Sequence, residues 1–501
     1  MLIRLYAFAA GSRDQWLILR SVLKQVLIVT PNWPPISCPD LHRARMALPY
    51  FAEFGWEPLI LKINPDEQEG IKDPDLCRTV PEHIKTWQAG CLPLWLTKWT
   101  GLRNVGLRSY FHLARLGDRI IQTEKPQVVF FSTTMFPLMT LGRYWQRRHG
   151  IPYVLDFQDP WRREQKSEVR SQKSGAPHPG PLPGAERENG TTTDHRTPNL
   201  KARLADQVAG ILEPFAVRRV SHMVSVSPAY VDMFRGRYFW LGENDFTVLP
   251  FGAAEADYEF LHASPMRQAV FNPHDGRQHW VYVGACIRQM SFAVRAFFLA
   301  LNEMLETQPA LRKQLQIHFI GTNYAPKERA IKTVEPLAIK YGLGDVVSEI
   351  TDRIPYFEAL QCLLDADALF VPGSDDPGYT ASKIYPYILA RKPLLAVFHE
   401  ASTVVQILNG TKAGTVASFR SGENVEAVAS RILATGWLAS RPQDNGRQTT
   451  DSGTGRQSVV SGQWPGVRPP MPATDWPAFA PYTAREMTRK LCQIFDKTAK
   501  S

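Results

Sequence analysis

The chain has 501 residues, 44% of them hydrophobic, and this length and composition allow two buried cores in two domains of ordinary size. Its formal charge of +10 indicates a partner with negative charge, which can be nucleic acid, an anionic membrane surface or a phosphate-bearing ligand. The basic and aromatic pattern of a nucleic-acid-binding module is missing, so we exclude nucleic acid and favour the other two.

The cysteines and the first residues indicate where the protein works. The cysteines are scattered without a Cys-x-x-Cys pair, which argues against a zinc site or a disulfide framework and favours the cytoplasm. Residues 1–24 are apolar and basic, but Arg13 and Asp14 interrupt them too early for a signal peptide or a membrane span. We interpret 1–24 as an N-terminal extension; the alternative is a basic amphipathic segment that rests on a membrane. The six cysteines are Cys38, Cys77, Cys91, Cys286, Cys362 and Cys492.

Residues 25–252 are predicted to form a first domain with a doubly wound parallel sheet. Short apolar strands alternate with helices there, which is the pattern of α/β proteins. The first of these helices is expected to span Leu41 to Glu53. The predicted strands are 25–30, 58–63, 126–132, one that begins at Tyr153, and 222–226.

Polar side chains near the ends of these strands are candidates for an acceptor-side site. Asp40, His42 and Arg43 open the first helix and can line a cleft, although each can equally be a cap or a surface residue. Asp156 and Asp159 lie at the carboxyl end of the strand that begins at Tyr153, where doubly wound folds place their chemistry.

Two segments interrupt the α/β pattern. Residues 165–203 and 441–472 are rich in Pro, Gly, Ser and charge and have almost no large apolar residues. Such segments cannot bury enough apolar surface to offset the entropy of ordering, so we predict two disordered inserts.

Cys91 to Leu107 is unusually rich in Trp and Leu, with Lys98 and Arg103 among them. A segment of this kind can contact a lipid-linked acceptor or a membrane interface. The alternative is that its aromatic side chains belong to the core of the first domain.

Residues 253–440 are predicted to form a second α/β domain. Its first strand, 280–283, ends at Gly284, and a long helix is expected from Ser291 to Glu306. A further helix is expected from Ala325 to Tyr341.

The stretch after the buried strand 368–371 has the pattern of a ligand-binding corner. A turn-rich loop follows the strand, and Thr380 or Ser382 can cap the start of a helix. Because of Pro386, we expect this helix to begin no earlier than about Ser382 or else to bend at the proline. Lys383 then stands in the first turn of that helix, where a cation is unfavourable unless a negative group is bound.

Residues 380–396 carry a family resemblance. They read Thr-Ala-Ser-Lys-Ile-Tyr, then Tyr387, then Ala-Arg-Lys-Pro-Leu-Leu-Ala, and this resembles the donor-site segment of GT-B glycosyltransferases close to family 4. The resemblance covers most of 25–438 and the amphipathic helix within 476–498. It implies two Rossmann-like doubly wound parallel-sheet domains that face each other across a cleft, with the final helix crossing back to the first domain.

The resemblance also implies an activity. It implies a glycosyltransferase that moves a sugar from a nucleotide-sugar donor to a glycan or lipid-linked acceptor, with retention of configuration and without a metal or other cofactor. It assigns catalytic roles to Arg288 and Lys383, which would neutralise the donor diphosphate, and to Asp159, which would lie near acceptor and donor. Surface polysaccharide or lipopolysaccharide assembly at the cytoplasmic face of a membrane fits this activity. The implied donor-binding residues are Gly284, Tyr379, Thr380, Ser382 and Lys383.

The chain departs from the family pattern at three places. Pro386 replaces the Glu that holds the hydroxyls of the nucleotide sugar, residues 36–39 replace a glycine pair, and 132–134 replace a histidine. A catalytically silent relative that binds a glycan, nucleotide or partner enzyme is therefore an alternative, and a nucleotide-sugar epimerase is a third. Asp365 and Asp367 resemble a metal-binding Asp-x-Asp, but their position between a helix and a strand favours a structural role.

Overall fold

The computed structural model describes residues 23–68, 70–97, 104–162, 200–323, 325, 329–375, 383–438 and 469–500; from 200 to 205 it describes the backbone alone. Most of both predicted inserts lies outside these ranges. Tyr379, Thr380 and Ser382 of the predicted donor site also lie outside them.

Within these ranges the first domain is built on a sheet of seven parallel strands, in the order β3-β2-β1-β4-β5-β6-β7. The order reverses direction between the neighbours β1 and β4, which pair from Val26 with Val128 to Val29 with Phe131. Such a reversal opens a crevice at the carboxyl ends of the strands. The strands are β1 Lys24–Val29, β2 Trp56–Ile63, β3 Thr86–Ala89, β4 Val128–Ser132, β5 Tyr153–Phe157, β6 His222–Ser225 and β7 Phe246–Val248.

The second domain has a sheet of six parallel strands in the described residues, in the order β10-β9-β8-β11-β12-β13. Its reversal lies between β8 and β11, where Trp280 pairs with Ala368. The predicted α/β class is therefore confirmed for both domains. The strands are β8 Gln278–Val283, β9 Leu315–Ile320, β10 Val347–Ile350, β11 Ala368–Pro372, β12 Leu394–His399 and β13 Thr415–Phe419.

Helices cover both sheets. In the first domain they are α1 His42–Ala47, α2 Leu94–Thr97, α3 Val105–Glu124, α4 Thr140–His149, α5 Leu200–Val217 and α6 Pro228–Arg237. In the rest of the described chain they are α7 Glu255–Ala263, α8 Ser291–Thr307, α9 Pro309–Arg312, α10 Val334–Lys340, α11 Tyr356–Asp365, α12 Ile384–Leu389, α13 Thr403–Thr411, α14 Val425–Ala434, α15 Trp476–Phe479 and α16 Ala484–Thr498.

The final helix packs against the first domain. Alternate residues of the first sheet face opposite layers: Leu27 packs with α3 to α6, whereas Val26 packs with α1 and α16. The ring of Phe495, in α16, lies 5.4 Å from that of Trp56 and 5.3 Å from that of Phe130. The chain therefore leaves the first domain, builds the second, and ends on the first.

Two predicted helices are shorter than expected. The helix expected from Leu41 to Glu53 ends at Ala47. Pro49 cannot donate a backbone hydrogen bond, and the chain continues from Leu48 to Phe54 as short 3₁₀ turns. The helix expected from Ala325 to Tyr341 begins at Val334, because the Glu349 carboxylate of β10 accepts the first backbone N–H groups and fixes the start there.

The two aspartates of the Asp-x-Asp sequence before β11 accept hydrogen bonds from β8 and from α11. The Asp367 carboxylate accepts the backbone N–H of His279 at 2.8 Å, and the Asp365 carboxylate accepts the side-chain amide of Gln361 at 2.7 Å. Within the described ranges, no three His, Cys, Asp or Glu side chains converge as ligands for a metal ion. No helix among these residues is both long and apolar enough to span a bilayer.

Candidate active site

The second sheet presents a crevice at its reversal of strand order. β8 and β11 are neighbours there, so the loop after Val283 and the loop after Pro372 leave the same edge of the sheet side by side. Gly284 begins the first loop with φ +141°, a backbone conformation that other residues rarely adopt. Lys383 follows the second loop and directly precedes α12, which begins at Ile384 and thus within the predicted limit.

Lys383 lies across Gly284 and is largely buried. Its ammonium donates to the Tyr282 hydroxyl at 3.1 Å and to the Ala285 carbonyl at 3.1 Å, and it lies 5.5 Å from the centre of the Tyr282 ring. A methyl group on residue 284 would stand 2.9 Å from the Lys383 Nζ atom. The glycine thus gives the lysine its place at the crevice.

Lys383 has no carboxylate partner among the described residues. The pKa of Lys383 is lowered from its ordinary 10.5 to about 8, chiefly by burial and in part by the nearby Arg353 guanidinium. A buried ammonium is normally paired with an anion, so this site favours a negatively charged ligand.

The tyrosine that follows Pro386 fixes α12 against β8. The Tyr387 hydroxyl accepts the N–H of Val283 at 2.7 Å and donates to the carbonyl of the same residue at 3.0 Å. Pro386, which stands where the family pattern has Glu, offers its carbonyl to the Tyr258 hydroxyl at 2.6 Å. This position therefore holds the start of the second domain and has no side chain that could bind sugar hydroxyls.

Two arginines lie at the same edge of the second sheet. Arg288, in the turn that precedes α8, is exposed. Arg353, three residues after β10, is also exposed and acts on groups of both domains: it lowers the pKa of Lys383 and that of His42. Sequence reasoning missed Arg353, although its place just beyond the carboxyl end of a parallel strand is a signal that could have indicated it.

Asp40 joins the two loops at the reversal of the first sheet. Its carboxylate accepts the side-chain amide of Asn32 at 2.9 Å and the backbone N–H of Thr134 at 3.1 Å. The side chain is buried within these contacts. The residues that replace the family's glycine pair are also fixed, because Ile36 bridges to Lys72 in antiparallel fashion.

Arg43 and Asp156 form a buried ion pair. The Arg43 Nε atom donates to the carboxylate at 2.7 Å, and both side chains are 0% exposed. Arg43 also donates to the Leu249 carbonyl at 2.7 Å, so it connects the ends of β5 and β7. Burial raises the pKa of Asp156, while Arg43 opposes this rise.

The other two predicted residues of the first domain lie closer to the cleft. The ring of His42 is 4.8 Å from that of Tyr356 in the second domain, and burial lowers the pKa of His42 to about 3, so the imidazole is neutral. Asp159 is exposed beyond β5, near Tyr230. Asp40, Arg43 and Asp156 thus support the loops, whereas His42 lies at the contact with the second domain and Asp159 is exposed.

The domains are joined beside this cleft by a second buried ion pair. The Arg45 guanidinium donates to the Asp257 carboxylate at 2.7 Å through two nitrogens. Asp257 also accepts the Tyr356 hydroxyl at 2.7 Å, so three elements from both domains meet. These contacts hold the carboxyl edges of the two sheets towards each other.

No protein-family model matches the chain, and no curated protein matches its sequence. A glycosyltransferase from Rickettsia africae ESF-5 is similar in structure, with 12% identity, a TM-score of 0.50, and coverage of 96% of this chain and 99% of that one. The N-terminal domain of trehalose-6-phosphate phosphatase from Candida albicans is similar too, with 11% identity, a TM-score of 0.50, and coverage of 95% and 97%. Anabaena Alr3699/HepE in complex with UDP-glucose has 14% identity, coverage of 82% and 89%, and a TM-score of 0.45. The first two likenesses show the fold, which is the two-domain GT-B arrangement.

Proposed function

We propose that the protein is a GT-B glycosyltransferase that transfers a sugar from a nucleotide-sugar donor to a glycan or lipid-linked acceptor. The observation that carries the proposal is Lys383, a largely buried ammonium at the crevice of the second sheet with no carboxylate partner among the described residues. A diphosphate fits this site, because it supplies the missing negative charge and accepts charge-assisted hydrogen bonds.

The proposed chemistry follows from where negative charge develops. The bond from the sugar carbon to the diphosphate oxygen breaks, the acceptor oxygen forms a new bond to that carbon, and the hydroxyl proton of the acceptor passes to the departing diphosphate. Lys383, with Arg288 and Arg353 at the same edge, would stabilise the departing diphosphate. Three cations at one edge would stabilise the diphosphate without a metal ion. The family resemblance leads us to propose also that the transfer retains the configuration of the sugar carbon.

On the facing edge, we assign the acceptor to the surface around Asp159. This carboxylate is exposed, so it can accept a hydrogen bond from the acceptor hydroxyl. Trp95 in α2 is 70% exposed, with Leu94 and Leu96 exposed beside it, which supports a lipid-linked acceptor at a membrane face. A role in surface polysaccharide or lipopolysaccharide assembly in the cytoplasm is the setting that we propose.

The test is turnover of a panel of nucleotide sugars by the parent and by Lys383→Ala. We expect the parent to release nucleoside diphosphate from at least one donor, and Lys383→Ala to lose this activity. Lys392→Ala is the matched control: Lys392 is also partly buried with a lowered pKa, but it lies before β12, at the opposite edge of the sheet.

Two results would contradict the proposal. If no donor is turned over but nucleotide binds, the chain is the silent relative that its departures from the family pattern allow. If a donor is isomerised without an acceptor, it is an epimerase.

A further inference from the structure

The outer face of the first domain carries arginines beside exposed apolar side chains. α4 and α5 lie side by side there, and the Arg143 guanidinium lies 4.3 Å from the centre of the Phe215 ring, with that of Arg147 5.8 Å from the same ring. The Arg218 guanidinium lies 5.8 Å from the Trp240 ring. We call this surface the arginine face; it consists of Arg143, Arg147, Arg218, Arg219, Ile211, Phe215, Phe239 and Trp240.

The positive charge of this face is not neutralised by neighbouring carboxylates. None of its four arginines forms an ion pair with an acidic side chain of the described chain. Two acids on the helices of this layer are engaged elsewhere: Asp118 of α3 contacts His149 at 2.6 Å, and Glu213 of α5 contacts Arg237 at 3.2 Å. Burial, and then the neighbouring arginines, lower the pKa of Arg143, as expected where like charges are held together.

Large apolar side chains project from the same face. Phe239 is 94% exposed, and its ring meets that of Trp240 edge-on at 5.3 Å. Ile211 is 71% exposed and lies one helical turn before Phe215 in α5. Arginines surrounding exposed apolar side chains are typical of a surface that rests on a bilayer.

We propose that the arginine face binds an anionic phospholipid surface, with its guanidinium groups on headgroup phosphates and with Ile211 and Phe239 inserted among the lipids. The alternative polyanion, nucleic acid, is less favoured because arginines already lie near the rings of Phe215 and Trp240, the groups on which bases would stack. The proposal does not depend on sugar transfer. It also differs in place from the exposed Trp95, which lies at the β3 end of the first sheet.

The test is sedimentation of the full chain with vesicles. We expect it to bind vesicles of phosphatidylcholine with phosphatidylglycerol, to bind pure phosphatidylcholine far more weakly, and to be released by salt. Arg147→Gln with Arg219→Gln should weaken binding by roughly 25-fold, since each arginine near an anionic surface contributes roughly fivefold. Phe239→Ser should weaken it by roughly tenfold, because an apolar side chain returns to water.

The matched control is Lys313→Gln with Lys340→Gln, which removes the same charge from exposed positions of the second domain. We expect this control to bind like the parent, and all variants to melt like it. Three results would overturn the proposal: no binding of the parent to anionic vesicles, an equal loss in the control, or tighter binding of the parent to single-stranded RNA than to anionic vesicles.

Discussion

Arg43 and Lys383 are cations at the carboxyl edges of the two sheets, Arg43 buried and Lys383 partly buried, and their surroundings differ. Arg43 is paired with Asp156 at 2.7 Å and connects loops of its own domain. Lys383 meets only neutral oxygens and an aromatic ring among the described residues. Because a buried charge without a partner is costly, the comparison indicates that Arg43 stabilises the fold while Lys383 is kept for a ligand.

The largest change in stability is expected when Arg43 loses its partner Asp156. Asp156→Asn should lower the free energy of unfolding by about 3–5 kcal/mol, since it leaves the Arg43 charge buried and uncompensated. Chemical denaturation of the purified protein measures this. Arg43→Met with Asp156→Leu should recover much of the loss, because the pair is then replaced by apolar groups.

Asp159→Asn is the control for that prediction. Asp159 lies at the end of the same strand but is exposed, so its replacement should change the stability by less than about 0.5 kcal/mol. Equal losses from Asp156→Asn and Asp159→Asn would contradict the assignment of the buried pair as the stabilising one.

For Lys383 the comparison predicts the opposite outcome. Lys383→Ala should leave the unliganded protein as stable as the parent or slightly more stable, and lower its affinity for nucleoside diphosphate tenfold to hundredfold. Arg288→Ala should cause a similar loss, and the double variant should be non-additive if both side chains hold the same phosphates. Titration calorimetry beside melting curves measures both properties, with Lys392→Ala as the control. A Lys383→Ala protein that binds normally but melts several degrees lower would make Lys383 a structural residue.

The sequence predicted the two sheets, because strand periodicity and turn residues are local signals, but it placed Lys383 in the first turn of a helix that begins only at the next residue, Ile384. The sequence did not show that Arg43 and Asp156 are buried whereas Asp159 is exposed. Arg43 and Asp156 are 113 residues apart, and their burial depends on how β5 packs against α1 and the end of β7. It also missed Arg353, because the approach of that guanidinium to Lys383 depends on the packing within the second domain, and its approach to His42 on the packing of the two domains.

A smaller effect is expected from Gly284→Ala. The backbone there has φ +141°, and the added methyl group would stand 2.9 Å from the Lys383 Nζ atom, so we expect a loss of about 1 kcal/mol or more and weaker nucleotide binding. Gly422→Ala is the control, since Gly422 has φ +77° with open space around it and reports the backbone cost alone. If both variants bind nucleotide like the parent, the position of the lysine over Gly284 is unimportant for the ligand.

The smallest expected effect is a pH dependence of stability that belongs to Lys383 alone. Its pKa is about 8 in the folded protein and 10.5 ordinarily, so between these values the unfolded chain binds more protons. Stability should therefore begin to rise as the pH approaches 8, by at most roughly 0.8 kcal/mol between pH 7 and 8.5 and by less where solvent screens the charge. Lys383→Met should lack this rise, so the measurement is the difference between the two unfolding free energies at several pH values. Nucleotide affinity should move in the other direction, because the ammonium that holds the phosphates loses its proton as the pH increases. Identical pH dependence in the parent and Lys383→Met would show that the amine is as well solvated as any surface lysine, and the contrast with Arg43 would then fail.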